Sequence, residues 1–296
     1  MLSISYDSKT LQDGAGAQLQ RIIGIYAISR FFRIGYVHNA LDEILVHPGD
    51  GVRDKESYRD FKTEINRLVP FQSSLALNKL DEKIRIHHLG VKEFLYYFFR
   101  FRFSNKHIHL EVLQPDHLLN RFPIILKKFR KSNLLSVPQQ RKRISVHVRQ
   151  SGTDSTFVLK GEKRSRNLPP EYYIQSLEQI QNELGRDYFQ SCQLLIITDE
   201  PESSLEFAPF EGQNHLWSDA GYSIDTNGIK FENGKLTKEI IERFPHAKVL
   251  RGGRPAKSIE LLASSEFLVM SRSSFSVVAR LLSKNCKVIC PPNYKN

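Results

Sequence analysis

Cysteine is scarce in this chain, and the few cysteines present do not form a framework. Cys192, Cys286 and Cys290 are an odd number in a sequence of 296 residues, which excludes a disulfide-stapled fold. Three residues separate Cys286 from Cys290 and no histidine cluster lies beside them in the sequence, so the spacing is a poor fit to zinc. We therefore expect buried free thiols and a reducing, cytoplasmic environment.

Long apolar runs are missing as well. The first residues, MLSISYDSKTL, lack the cationic stretch and apolar core of a signal peptide. No run approaches the roughly 20 apolar residues of a membrane-spanning helix. We expect a cytoplasmic protein, with the surface of a membrane as a candidate peripheral partner.

Acidic residues are absent from one long stretch. Between Arg121 and Gln150 there are nine lysines or arginines and no aspartate or glutamate, in a chain whose net charge is +11. Such a stretch favours an anionic partner, which can be nucleotide phosphate, an acidic glycan, a membrane surface or nucleic acid. A solvated linker face is an equally good interpretation of the same run.

Familiar ligand motifs are also incomplete. The segment DGAGAQ has glycines at positions 14 and 16, but Leu19 stands where a dinucleotide fingerprint needs its third glycine, and no Walker lysine occurs. Glycines here still permit a tight turn and close approach of the backbone to a ligand. No D-x-D pattern, the usual metal-holding motif of metal-dependent sugar transferases, is present. We expect neither a bound metal nor a resident cofactor.

Strand-like and helix-like segments alternate along the whole chain. The first half predicts strands at 3–6, 34–37 and 83–88, a glycine turn at 13–17, a helix through Phe31, and a charged helix or loop at 50–66. The second half predicts strands at 144–148, 193–197, 248–250, 267–270 and 287–290, with helices at 170–184, 259–263 and 276–282. This alternation predicts an α/β protein with parallel sheets.

A proline-containing basic segment at 132–143 marks the predicted boundary between two domains. We place an N-terminal domain at 1–138 and a C-terminal domain at 139–296. One stretch of the first domain is unusual: LYYFFRFRF, residues 95–103, packs six aromatics around two arginines. It predicts a buried helix whose arginines reach solvent, or else a surface for a sugar acceptor or a membrane headgroup layer.

Three loops that follow predicted strands of the second half carry candidate ligand-binding residues. Ligands of open α/β sheets bind at the carboxyl ends of the strands, so these loops should converge. They are HVRQ, with His147 and Arg149 facing the same way; SRSSFS, at 271–276; and Thr198-Asp199. Arginine fits phosphate oxygens two at a time, and the first N–H groups of a helix bind anions. Ion pairing for the arginine and helix capping for the serines and the aspartate are the alternative roles.

Four segments, taken together, resemble fucosyltransferases. DGAGAQLQRIIGIYAIS resembles the G-x-G-N-Q-L segment of bacterial and animal α1,2-fucosyltransferases. HVRQSGTD is similar to their H-[IV]-R-R-G-D, a motif shared more loosely with α1,6- and protein O-fucosyltransferases. IITDEPE resembles a strand ending in Ser-Asp-Asp, and SIELLASSEFLVMSRSSFSVVARLL resembles D-L-E-L-M-S-x-C-x-x-x-I-x-A-N-S-S-F-S-W-W. The four segments occur in the family's order.

The resemblance implies two Rossmann-like domains facing a cleft, the glycosyltransferase B-type architecture. It implies transfer of L-fucose from GDP-fucose to a glycan acceptor, metal-independent and with inversion, with the acceptor on the N-terminal domain and the nucleotide sugar on the C-terminal one. Arg149 would bind and stabilise the leaving diphosphate as the catalytic residue. The residues implied to bind the donor are Gly14, Gly16, Gln18, His147, Arg149, Asp199, Glu260, Arg272, Ser273, Ser274, Phe275 and Ser276.

The sequence departs from the family pattern at several of these positions. Gln150 replaces the second arginine of the pair, Ala17 replaces the asparagine after the second glycine, and Ser258 replaces the aspartate expected to read the base edge. Arg272, where the family has asparagine, can supply the missing positive charge. A general base for the acceptor is not assigned, with Asp13, His38 and Asp42 as candidates.

Two alternatives follow from the same residues. One is a related two-domain transferase that uses another nucleotide sugar. The other is a non-enzymatic protein that binds nucleic acid or another polyanion, suggested by the charge and by stacking of bases on the aromatics of LYYFFRFRF. Because no RNA-binding motif of known type occurs, nucleic acid is not the expected partner.

Overall fold

The computed structural model describes residues 1–8, 13–46, 52–74, 81–115, 124–125, 128–129, 137–149, 156–159, 162–165, 167–199, 205–207, 229–231, 236–251 and 253–292. The chain divides into two compact units. The first comprises Met1–Leu45 and Lys62–Leu134, and the second comprises Val46–Phe61 and Leu135–Tyr294. The predicted linker lies partly outside the described residues, as does the basic run that contains it.

The first unit is built on a four-stranded parallel sheet. Its elements are β1 (Leu2–Tyr6), α1 (Ala15–Phe32), β2 (Gly35–Tyr36), β3 (Glu82–His88), α3 (Val91–Phe101) and β4 (Ile108–Gln114), and a further helix, α2 (Lys55–Arg67), is divided between the two units. The strands stand in the order β2-β1-β4-β3, and each neighbouring pair is parallel.

Helix α1 is buried along most of its length. Its isoleucines at 22, 23, 25 and 28 have no measurable exposure, so apolar burial on more than one side stabilises it. It ends at Arg33, whose φ of 53° is the left-handed conformation of a helix C-cap, and the Arg33 N–H donates to the carbonyl of Ser29. The helix therefore forms the centre of the first unit's core.

One face of the first sheet is polar although it is buried. Ser3 and Ser5 of β1 hydrogen-bond to His109 of β4, with Ser3 Oγ at 2.9 Å from Nδ1 and Ser5 Oγ at 3.0 Å from Nε2. Ser3 Oγ also lies 3.0 Å from Nε2 of His107. Burial lowers the pKa of His109 to about 4, because a charged imidazole would lose its hydration there.

The second unit contains a five-stranded parallel sheet. Its elements are β5 (Arg143–Val148), β6 (Thr156–Leu159), β7 (Glu162–Ser165), α4 (Pro170–Leu184), α5 (Arg186–Ser191), β8 (Gln193–Thr198), β9 (Leu205–Phe207), β10 (Ile229–Phe231), α6 (Leu236–Arg243), β11 (Lys248–Arg251), α7 (Pro255–Ala263), β12 (Phe267–Val269), α8 (Ser274–Leu282) and β13 (Lys287–Ile289). The order is β11-β8-β5-β12-β13, all parallel. Two antiparallel pairs, β6 with β7 and β9 with β10, form separate two-stranded sheets in this unit.

The core of the second unit joins the sheet to its helices. Proline at the first position of α4 fits a helix start, because the missing N–H would have had no helical partner there. Buried apolar residues of strands β5, β8 and β12 pack with buried residues of α4, α5 and α6: Ile144, Val146, Val148, Leu194, Ile196, Phe267, Val269, Tyr173, Leu177, Ile180, Phe189 and Ile240. A rigid sheet therefore supports the loops at its carboxyl edge.

The predicted fold class is confirmed, since the chain is an α/β protein with two parallel sheets. Three details differ from the sequence prediction. Gly16 lies inside α1, which begins at Ala15, so the glycine turn predicted for 13–17 is shorter. The central strand β4 was missed because the buried His109 and the charged Glu111 interrupt its apolar pattern, and the β6–β7 hairpin falls where a polar loop was expected.

The prediction of a buried helix for LYYFFRFRF is only half right. Helix α3 forms there and buries Phe94 and Phe98, but its opposite face is exposed. None of the three cysteines, all of which the structure describes, is in a disulfide bond. Among the described residues, no helix combines the length and the apolar character needed to cross a membrane.

Candidate functional site

The strand order of the second sheet creates a switch point between β5 and β12. If the five strands are numbered by their order in the chain, they lie across the sheet as third, second, first, fourth and fifth. The chain therefore leaves β5 and β12 in opposite directions. Ligands of open α/β sheets bind where the strand order reverses, at the carboxyl edge. Arg149 follows β5 there, and the segment Ser271–Ser276 follows β12. The topology therefore brings two of the three predicted loops together.

Arg149 contacts the start of helix α8. Its Nη1 donates to Ser273 Oγ at 3.1 Å. Ser273 is the N-cap residue of that helix, and the same hydroxyl accepts from the N–H of Phe275 at 3.2 Å. Nε of Arg149 is buried and has no hydrogen-bond partner among the described residues. A cation with an unsatisfied donor thus lies beside a helix N-terminus, and both features favour a bound anion.

His147 fastens the loop after β12 to strand β5. Its Nδ1 lies 2.6 Å from Ser276 Oγ and 2.8 Å from Ser271 Oγ, and the N–H of Ser271 donates to Ser276 Oγ at 3.2 Å. The imidazole also lies 5.2 Å from the ring of Phe275, centroid to centroid. With only 6% of its surface exposed, His147 holds the loop in place through a network that the protein itself satisfies.

The electrostatic state of His147 follows from its burial. Loss of hydration, with the neighbouring Arg149 cation as a second cause, lowers the pKa of His147 to about 3. The imidazole is therefore neutral at neutral pH and acts through hydrogen bonds. The positive charge of the site then comes from arginine.

Tyr172 of α4 supports the site from a distant part of the sequence, and Tyr173 is buried beside it in the same helix. The Tyr172 hydroxyl donates to the carbonyl of Met270 at 2.9 Å, immediately before the serine-rich loop. Tyr173 is fully buried, and that burial raises the pKa of its hydroxyl, with Asp199 and Arg272 among the charges that act on it. Because these contacts join residues far apart in the chain, no local sequence signal could have identified the tyrosines.

Asp199, Arg272 and Ser274 occupy the same edge of the sheet. Asp199 directly follows Thr198, which pairs in parallel register with Val148, the residue before Arg149. Arg272 and Ser274 flank the N-cap residue, and both are partly exposed. Asp199 and Arg272 act electrostatically on one hydroxyl, that of Tyr173. The third predicted loop therefore also reaches this edge of the sheet.

Glu260 has a different setting from the other predicted residues. It lies in α7 and pairs with Lys257 at 3.3 Å on the helix surface, where its side chain is 44% exposed. In the described part of the chain, no hydrogen bond or ion pair joins Glu260 to Arg149 or to the serine-rich loop. The structure thus groups the loop residues without Glu260.

Gly14, Gly16 and Gln18 belong to the first unit. Gly14 is the N-cap of α1, and Gly16 lies in its first turn. Gln18 is fully buried: its Oε1 accepts from the Tyr6 hydroxyl at 2.9 Å, and its Nε2 donates to the carbonyls of Asp13 and Glu43. Because protein groups hydrogen-bond to both the oxygen and the nitrogen of this amide, Gln18 holds the glycine segment against β1.

The three candidate general bases each have partners within the first unit. Asp13 pairs with Arg21 at 2.9 Å, and Asp42 pairs with Lys62 at 3.0 Å. Nδ1 of His38 lies 2.9 Å from the Tyr36 hydroxyl, and burial lowers the pKa of this histidine. None of them stands out geometrically. Across the residues that the structure covers, no three His, Cys, Asp or Glu side chains are grouped to hold a metal ion.

The sequence matches no protein-family model and no curated protein. Among solved structures, a crystal structure of POFUT1 in complex with GDP-fucose aligns with 97% of each chain, at 11% identity and a TM-score of 0.41. E. coli heptosyltransferase WaaC with ADP-2-deoxy-2-fluoro heptose covers 100% of this chain and 95% of its own, at 11% identity and a TM-score of 0.37. Likeness at this level establishes no family and no activity.

Proposed function

We propose that this protein is a glycosyltransferase that transfers a sugar from a nucleotide sugar to a glycan acceptor, with L-fucose from GDP-fucose as the first candidate. One observation carries the proposal: the guanidinium of Arg149 hydrogen-bonds to Ser273, the N-cap of α8, at the switch point of a parallel sheet. A cation beside a helix N-terminus favours the binding of an anion such as a diphosphate.

The chemistry of a diphosphate matches these groups. A guanidinium presents a planar fork of donors that binds two phosphate oxygens together. The free N–H groups and the dipole of a helix start attract a second set of oxygens. Ser274 and Ser276 supply backbone N–H groups in the first turn of α8, where the N–H of Phe275 is capped by Ser273, and Arg272 adds a second cation beside it.

Transfer of the sugar would break the bond between its anomeric carbon and the diphosphate oxygen. The sugar passes through an oxocarbenium-like state while negative charge grows on the departing diphosphate. Arg149 meets that growing charge, so it stabilises the transition state more than the ground state. We propose that this stabilisation by Arg149 removes the need for a metal ion. The acceptor hydroxyl would attack the anomeric carbon with inversion, losing its proton as the new bond forms and the diphosphate leaves.

The remaining residues have positioning roles in this proposal. His147 holds the serine-rich loop against β5, and Gln18 holds Gly14 and Gly16 at the start of α1. Asp199 would bind the ribose or an edge of the base. Glu260 would contact the nucleotide sugar only if its surface ion pair with Lys257 opens. Because Ser258 stands in place of the family's aspartate, the nucleotide base is the part of the donor that these residues specify least.

Transfer and hydrolysis measured across a panel of nucleotide sugars, with and without EDTA, test the proposal. We expect turnover with one donor of the panel, GDP-fucose being the first candidate, and the same rate after chelation of divalent metal. Turnover only with a different base or sugar would favour the related transferase. Loss of all turnover on chelation, restored by a divalent metal, would contradict the metal-independent mechanism.

A second experiment distinguishes the non-enzymatic alternative. Thermal unfolding is followed with GDP, with UDP and with a short oligonucleotide, because a ligand that binds the native state raises the midpoint. A rise with a nucleoside diphosphate alone supports the transferase. A rise with the oligonucleotide alone, combined with no turnover across the panel, would replace it with polyanion binding.

A further inference from the structure

The outer face of helix α3 is aromatic and exposed. Lys92, Tyr96, Phe99 and Phe103 follow one another at spacings of four, three and four residues, which places them in one line along a helix. Tyr96 is 53% exposed, Phe99 69% and Phe103 84%. Phe103 continues the line because Arg102, before it, keeps helical angles. We call Tyr96, Phe99 and Phe103 the aromatic stripe.

Helix α3 is attached to the core of the first unit by its other face. The opposite face of α3 buries Phe94 and Phe98, whose rings each lie 4.9 Å from the ring of Phe32 at the end of α1. These contacts attach the helix to the core. Large apolar side chains left exposed in a row are uncommon on soluble surfaces and mark sites of interaction.

Two arginines flank the stripe, one on each side. Arg100 Cζ lies 5.6 Å from the centre of the Tyr96 ring, and Arg102 Cζ lies 5.7 Å from that of Phe103. Both are exposed, and none of the ion pairs between described residues includes either of them. Glu93 is the one acidic residue of α3. The face is therefore aromatic along its crest and cationic at its edges.

We propose that this face docks the protein on an anionic lipid surface. The free energy falls when phenylalanine side chains move from water to the acyl boundary, and tyrosine favours the headgroup level. Arginines beside them pair with lipid phosphates and acidic headgroups, which complements the net charge of +11. A bilayer surface is planar and deformable, so an exposed row of side chains along one helix can lie against it along its whole length.

Co-sedimentation with vesicles tests the proposal. The full chain is mixed with vesicles of phosphatidylcholine alone, or of phosphatidylcholine with about a third phosphatidylserine, and we expect stronger binding to the anionic set. The double variant F99A/F103A should weaken that binding roughly tenfold or more, because two apolar rings no longer leave water. R100Q/R102Q should weaken it about fivefold or more on anionic vesicles.

A charge-matched control separates the face from net charge. R186Q/K284Q removes two exposed cations of the second unit, and it should change vesicle binding less than about twofold. Each variant should keep the thermal unfolding midpoint and the response to nucleoside diphosphate of the unaltered chain. If the vesicle results contradict the docking proposal, the proposed transferase is unaffected, because nucleotide binding is measured separately.

A spectroscopic readout reports insertion directly. F99W adds a second tryptophan to a chain that has one, and its emission should shift to shorter wavelength with anionic vesicles, beyond the shift of the unaltered chain. Several outcomes would overturn the proposal: equal loss in R186Q/K284Q and R100Q/R102Q, no vesicle binding, self-association that F99A/F103A abolishes, or binding of an oligonucleotide at this face instead.

Discussion

Replacing Arg149 by alanine should lower kcat by roughly two orders of magnitude or more, the scale for losing one oxyanion donor. The guanidinium is the positive group that hydrogen-bonds to the helix start, and charge on a departing diphosphate would be left facing only backbone N–H groups and Arg272. Steady-state rates with the donor identified by the panel provide the measurement. We expect the effect chiefly in kcat, because the interaction strengthens as the bond breaks.

Two further variants make this result specific. Arg149→Lys keeps the charge but loses the planar fork, so it should fall between the alanine variant and the unaltered chain. Arg186→Ala removes an exposed arginine of helix α5 and should leave kcat within about twofold. Unchanged turnover in Arg149→Ala, with donor still bound, would end the catalytic assignment.

Acidification from pH 7 to pH 4.5 should destabilise both units, each by about 2.5 kcal/mol through one histidine. Burial lowers the pKa of His109 to about 4 in the first unit and of His147 to about 3 in the second. Above pH 6.5 the imidazoles are neutral in the folded and the unfolded chain. Below it, the unfolded chain binds protons that the folded chain does not, so the free energy of unfolding falls as the pH falls.

Urea unfolding at the two pH values isolates these contributions. His109→Gln and His147→Gln remove one titrating group each, so each should reduce the loss between pH 7 and pH 4.5 by about 2.5 kcal/mol. His87→Gln, an exposed histidine of β3, should keep the full loss. A pH dependence that stays the same in both buried variants would contradict the neutral networks described above.

The sequence predicted the second unit better than the first, for a physical reason. Strands β8 and β12 are unbroken apolar segments, a pattern typical of strands buried on both faces of a parallel sheet. Strand β4 is equally buried, but His109 and Glu111 interrupt its apolar pattern. The hydrogen-bond partners of His109, Ser3 and Ser5, lie more than a hundred residues away. Local periodicity does not register such a network.

The candidate site was predictable where it depends on the ends of strands. Arg149 and Ser273 could be assigned to one edge because parallel strands end together, and the 3.1 Å contact between them agrees with that expectation. The engagement of Gln18 with Tyr6 and Glu43, and the support from Tyr172, depend on tertiary packing. Local sequence patterns do not predict contacts of this kind.

A calorimetric titration of guanosine, GMP and GDP, repeated with the uridine series, into the unaltered chain and into Arg149→Ala tests the central claim most directly. If Arg149 and the start of α8 bind a pyrophosphate, affinity in one series should rise about tenfold or more from monophosphate to diphosphate, and the alanine variant should lose that rise. Equal affinity along both series, or a rise that persists in Arg149→Ala, would contradict the account.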